Sequence, residues 1–132
     1  MQPVSGVNTT YYHGTSLQAA LSIQRAGFDV GRSGSNAGRL LGDGVYVTDQ
    51  LGKAMRYAQG RPHGCCVLQL EVDIGNCLHL DSSNLGLRQT WQACNMYDSA
   101  HAAEGVLGSG SKEEYCVKDP RRITQLRQVI IR

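Results

Sequence analysis

Cysteine and histidine are the first residues to test for chemistry in this chain. Cys65, Cys66, Cys77, His63 and His79 lie close enough in sequence to suggest a metal site. Their spacing matches no zinc pattern, and the five cysteines, at 65, 66, 77, 94 and 116, form no Cys-x-x-Cys. Cys77-Leu78-His79 would put two side chains on one face of a strand, too near each other to help. No metal is expected. A cysteine–histidine nucleophile pair fares no better, because nothing marks an activated thiol. Three polar residues are then left at strand-like positions far apart in sequence: His13, Tyr46 and Glu114. Each alone has an ordinary occupation, as a strand end, a packed ring and a solvated charge. Their surroundings single them out.

Six short pieces follow one another along the chain. They are Tyr12-His13-Gly14-Thr15-Ser16, Gly42-Asp43-Gly44-Val45-Tyr46-Val47-Thr48, and Lys53-Ala54 with Tyr57. Then come Leu70-Glu71-Val72-Asp73-Ile74-Gly75, Tyr97-Asp98-Ser99 and Glu113-Glu114-Tyr115-Cys116-Val117. In order and spacing, from about residue 11 onward, the set resembles the NAD-binding core of the poly(ADP-ribose) polymerase (PARP) superfamily. Thr90-Trp91, Tyr97-Asp98-Ser99-Ala100 and Asp119-Pro120-Arg121-Arg122-Ile123, with the Glu113 to Val117 piece, are similar to the small PARP-like proteins induced by virus and interferon in fish. That closer resemblance implies an antiviral, innate-immune setting.

The resemblance implies NAD⁺ as substrate and His13, Tyr46 and Glu114 as the catalytic set. His13 would hydrogen-bond the adenosine ribose, and the Gly14 backbone would hold the nicotinamide carboxamide, with Thr15 beside it. Tyr46 and Tyr57 would flank the nicotinamide ring through their flat faces. Glu114 would accept a hydrogen bond from the 2′-hydroxyl of the nicotinamide ribose. Breaking the bond to nicotinamide creates an oxocarbenium-like sugar, which a fixed carboxylate stabilises. Nicotinamide already leaves well, so neither metal nor general acid is needed. Ala54 falls in the NAD⁺ pocket where the family often has a small hydroxyl residue, and there it would weaken binding. No regulatory helical domain precedes His13 and the loop over 100–112 is short, so single transfer or NAD⁺ glycohydrolysis is expected rather than polymer synthesis. The acceptor is open among protein side chain, nucleic acid and water, with protein favoured. The competing reading is a catalytically weak or inactive binding module; an RNA 2′-phosphotransferase would want more basic residues.

The elements that must position these residues are short. Tyr11-Tyr12-His13 reads as a strand ending at Gly14. Ser16 caps a helix with Leu17, Ala20 and Leu21 on one face, and Gly27 stops it. Residues 29–44 form a glycine-rich surface loop, of which 31–43 is expected to cover the cleft; its glycines do not make Gly-x-Gly-x-x-Gly, which excludes a Rossmann reading. Val45 to Thr48 is a strand, and Asp49 is the expected cap of a second helix running to about Gln59. Cys65 to Asp73 alternates, with Cys66, Leu68, Leu70 and Val72 to one side. Cys77 to Leu80 continues as a strand. Residues 81–111 are mixed, with a helical turn around Trp91 as anchor and His101 in a loop. Glu114 to Val117 and Arg127 to Ile131 close the series.

Composition agrees with such a layout. At 132 residues the chain suits a single domain spanning 1–132. Sixteen glycines against three prolines favour strands and turns over a helical bundle. The expected class is α+β, a compact ADP-ribosyltransferase-like fold of mainly antiparallel sheet with a few short helices. A net charge of +2 is too small to argue for nucleic acid. No apolar run reaches a membrane span and Met1 to Thr10 has no signal-peptide core, so a reducing, cytoplasmic setting with free thiols is expected. Oligomeric state leaves no mark in the sequence.

Overall fold

The computed structural model describes residues 8–29, 40–61 and 63–131. The chain is α+β, as the pattern of elements predicts. It runs β1 (Asn8–Ser16), α1 (Leu17–Ala26), β2 (Val45–Val47), α2 (Leu51–Ala58), β3 (Cys65–Asp73), β4 (Cys77–Leu80), β5 (Ser99–Ala102), β6 (Glu114–Val117) and β7 (Ile123–Ile131). Short 3₁₀ turns at Leu85–Gln89 and Trp91–Ala93 precede β5. Most of the glycine-rich loop, 30–39, lies outside the described residues.

Two sheets result. One is three-stranded in the order β1-β3-β7, and the other four-stranded in the order β2-β6-β5-β4. All pairs are antiparallel except β4 with β5. The sheets touch at a two-bond bridge: Tyr12 N–H donates to Thr48 C=O at 2.7 Å, and Thr48 N–H donates back at 2.9 Å. Cys66, Leu68, Leu70 and Val72 fill the space between them with Val45, Val47, Val117 and Ala20. The other face of the four-stranded sheet is covered by Trp91, Leu41 and Leu107. The second helix packs on the outer face of the three-stranded sheet, Ala54 and Ala58 against Val67 and Tyr12.

Local chemistry explains most of these limits. The Ser16 hydroxyl accepts from Ala19 N–H at 3.1 Å and starts α1, and Gly27, at φ 86°, ends it. Asp49 does not cap α2: Gln50 holds that place without a side-chain bond, and the Gln50 N–H instead donates to Thr48 Oγ1. The first strand does not stop at Gly14 but continues to Ser16, because β3 pairs with it along its whole length. The strand β5 is new, and it puts His101 in a sheet rather than a loop. Its Ser-Ala-His-Ala sequence carries little strand preference; neighbours on both sides supply the pairing. Similarly β7 begins at Ile123, ahead of the expected Arg127, because β3 is long enough to pair with it there. Among the described residues no helix is long and apolar enough to cross a membrane.

Candidate active site

The bridge between Tyr12 and Thr48 does more than join sheets. It places His13 beside β2, where its Nδ1–H donates to the Tyr46 carbonyl at 2.7 Å. That bond leaves Nε2 as the acceptor of a neutral ring. Burial pushes the His13 pKa down, against the opposing pull of the Tyr46 carbonyl. Phe28 meets the imidazole edge-on, ring centroids 5.1 Å apart.

Strand alternation then fixes Gly14. Tyr12 directs its N–H and C=O at Thr48, away from β3. Two residues on, the N–H and C=O of Gly14 turn to that same side. The residue must be glycine, since an added Cβ would overlap the Ala54 carbonyl oxygen of α2. Ala54 is fully buried there. Thr15 shares the face of His13 and is partly buried.

Register on the second sheet completes the group. Tyr46 lies opposite Cys116 across β2 and β6, so Tyr46, Cys116 and Glu114 share one face. Tyr46 is 8% exposed and its hydroxyl is committed to the backbone: it accepts from Leu41 N–H at 2.9 Å and donates to Gly42 C=O at 2.6 Å. The Trp91 indole N–H donates to the Leu41 carbonyl at 2.9 Å, and Gln92 donates to the carbonyls of Leu41 and Asp43. The end of the glycine-rich segment is thereby pinned to Tyr46 and Trp91.

Glu114 is 5% exposed. Its Oε1 accepts from the Tyr57 hydroxyl of α2 at 3.4 Å, while Oε2 is buried with no partner among the described residues. Burial pushes the carboxyl up to about 7, although the Tyr57 hydroxyl pulls the other way. Desolvation and the Glu114 charge also raise the Tyr57 phenol. One turn earlier on the same helix, Lys53 reaches Glu113 at 2.9 Å. Burial alone would raise Glu113, but bonds from His101 and Lys53 outweigh it and hold that carboxyl below the ordinary glutamate range.

His13, Gly14, Thr15, Tyr46, Ala54, Tyr57 and Glu114 thus come together where β1, β2, β6 and α2 meet. The sequence reading missed the pinning roles of Leu41 and Gln92 and the grouping of Glu113 with His101. Only strand pairing brings the last two together, and no spacing rule marks it. A cavity of about 270 Å³ opens elsewhere, among Thr10, Tyr11, Asp49, Cys77, His79 and Tyr115. Tyr115 alternates with Glu114, so this cavity lies behind β6 and is not the site above.

A family model described as the poly(ADP-ribose) polymerase catalytic domain matches residues 5–119, a span holding every residue of this site. No curated protein matches the chain.

Proposed function

The chain belongs to the poly(ADP-ribose) polymerase catalytic-domain family, and on that premise we propose that it cleaves NAD⁺ and either transfers a single ADP-ribose or gives it to water. NAD⁺ as substrate and an ADP-ribosyltransferase-like function go with the family. One observation carries the proposal further: among the described residues, the nearly buried Glu114 carboxylate has one weak partner and an empty acceptor oxygen. Buried polar atoms are normally satisfied, so an orphaned carboxylate oxygen asks for a donor from outside the protein.

In this reading the Glu114 Oε2 accepts the 2′-hydroxyl of the nicotinamide ribose, and His13 Nε2 accepts from the adenosine ribose. Gly14 presents N–H and C=O to the carboxamide, while Tyr57 and Tyr46 bound the ring. As the bond from ribose C1′ to nicotinamide breaks, its electron pair leaves with nicotinamide and the sugar becomes cationic. The charged form of Glu114 stabilises that cation. An acceptor oxygen or water then bonds to C1′ and releases its proton to solvent. Transfer of one unit is favoured over a polymer because only residues 103–113 connect β5 to β6, too little to seat a growing chain. The likeness around Trp91 and residues 113–123 to the small virus- and interferon-induced PARP-like proteins of fish supports an antiviral setting, and we propose with it a cytoplasmic location, a protein acceptor and one domain over 1–132.

Incubation of pure protein with NAD⁺ labelled in the ADP-ribose part tests the proposal. Free nicotinamide with label on protein supports transfer, and free nicotinamide with labelled ADP-ribose supports hydrolysis. Unchanged NAD⁺ sinks both. A binding module without turnover is the second reading, favoured by one observation: Ala54 offers no hydroxyl to the carboxamide.

A further inference from the structure

On the face of β6 away from Glu114, three side chains make a chain of contacts that NAD⁺ cleavage does not use. The strands β4 and β5 run parallel with His79 directly opposite His101, so both imidazoles leave the same face. Their Nδ1 atoms are 3.1 Å apart. The other nitrogen of His101, Nε2, lies 2.8 Å from Glu113 Oε2 and donates to it. The His101 ring also lies against Tyr115, centroids 4.3 Å apart. The Glu113 carboxylate fixes the His101 tautomer and the Tyr115 ring limits its plane, leaving the Nδ1 lone pair on the side of His79.

We propose that His79 and His101 chelate one divalent transition-metal ion of the zinc or nickel class through their two Nδ1 atoms, with Glu113 orienting His101. Nitrogens about 2.0–2.1 Å from an ion lie about 3.4 Å apart in tetrahedral and about 2.9 Å apart in cis octahedral geometry. The observed 3.1 Å falls between these values. A ligating histidine habitually gives its other N–H to a carboxylate, and Glu113 is such a partner. His79 is exposed and lines the cavity behind β6, so an ion reaches the pair from solvent. In the metal-free pair His79 donates its Nδ1 proton to His101; on loading, that proton moves to His79 Nε2 through water and none is lost. Among the described residues no third His, Cys, Asp or Glu converges on the pair. The remaining coordination positions therefore belong to water or to a ligand in the cavity, and the site binds reversibly rather than structurally. The expectation of no metal weighed residues near one another in sequence. His79 and His101 are 22 positions apart and meet only through the parallel pairing.

Isothermal titration of the full chain with ZnCl₂ and NiCl₂ tests this, with the partly exposed thiols Cys65 and Cys94 replaced by serine to remove competing ligands. One ion per chain is expected. His79→Gln and His101→Gln should each weaken it about tenfold or more, Glu113→Gln by on the order of tenfold without abolishing it, and His63→Gln not at all. Circular dichroism of the metal-free variants checks that each is folded. The exposed His79 gives a decisive arm even where His101→Gln destabilises the sheet. Equal affinity in parent and His79→Gln, or no binding at millimolar ion, overturns the proposal. Neither readout depends on NAD⁺ turnover.

Discussion

The Tyr57 hydroxyl meets Glu114 Oε1 at 3.4 Å, while the second oxygen of that carboxylate is buried without a partner among the described residues. A helix on the outer face of one sheet thus supplies, among the described residues, the single hydrogen bond to a carboxylate on the other. The contact is long for a hydrogen bond to a charged group, so it offsets little of the cost of burial. The result is a carboxyl held near the point where it changes charge at neutral pH.

That position has opposite consequences for stability and rate. The folded pKa of about 7 lies above the ordinary glutamate value of 4.5. The folded state therefore holds the proton more tightly, and this stabilisation is fully present below about pH 4.5 and lost as pH rises through about 7. At pH 8 the ionised group costs on the order of 3 kcal/mol. Glu114→Gln should therefore be the more stable protein at pH 8, with the difference shrinking toward pH 4.5. Nicotinamide release by the parent should do the reverse, rising as pH passes 7. Urea midpoints at both pH values check the first part; parallel curves for the two proteins would mean a solvated carboxylate.

Tyr57→Ala should weaken NAD⁺ binding by about 1–2 kcal/mol, the worth of one aromatic stack. Tyr57→Phe keeps the stack and should bind nearly as well as the parent. Equilibrium titration of both variants decides, and equal affinity in Tyr57→Ala would put the ring elsewhere.

Ala54→Ser restores the hydroxyl that the family often carries at this place. A hydroxyl aimed at the carboxamide should tighten binding of a nicotinamide mimic by about 0.5–1.5 kcal/mol. Loss of affinity would show that the carboxamide does not lie beside Ala54.

Trp91→Phe keeps a ring in the core but removes the N–H that serves the Leu41 carbonyl. The volume change and the lost bond should together cost about 1–3 kcal/mol of stability. Faster hydrogen exchange at the Leu41 amide should accompany it, because that amide binds Tyr46, which packs in the same cluster. A Leu41 amide as slow as in the parent would separate the two anchors.

The sequence is legible where one rule decides the outcome. Ser16 and Gly27 bound α1 by cap chemistry, and the alternation from Cys65 to Asp73 identifies β3 and its buried face. Motif order puts His13, Tyr46, Tyr57 and Glu114 in one group. It is illegible where partners decide. Ser99 to Ala102 has no strand preference of its own and becomes β5 between two neighbours. His101, placed by that strand, then acquires Glu113 and His79, neither of them near it in sequence. Asp49 has the composition of a helix cap, yet Thr48, held by Tyr12, takes the turn instead. Tyr46 is a further case: its motif suggests an open ring face, whereas its hydroxyl is occupied by Leu41 and Gly42.

Paired turnover and binding measurements on Glu114→Gln and Glu113→Gln show whether the charge of Glu114 acts in the transition state. Glutamine keeps shape and hydrogen bonding but loses charge, so NAD⁺ affinity should change little in either protein. Nicotinamide release should fall by on the order of 10²–10³ in Glu114→Gln. Glu113 faces Lys53 and His101 on the other side of β6, so Glu113→Gln should turn over like the parent. Equal loss in both variants, or no loss in either, would contradict the account.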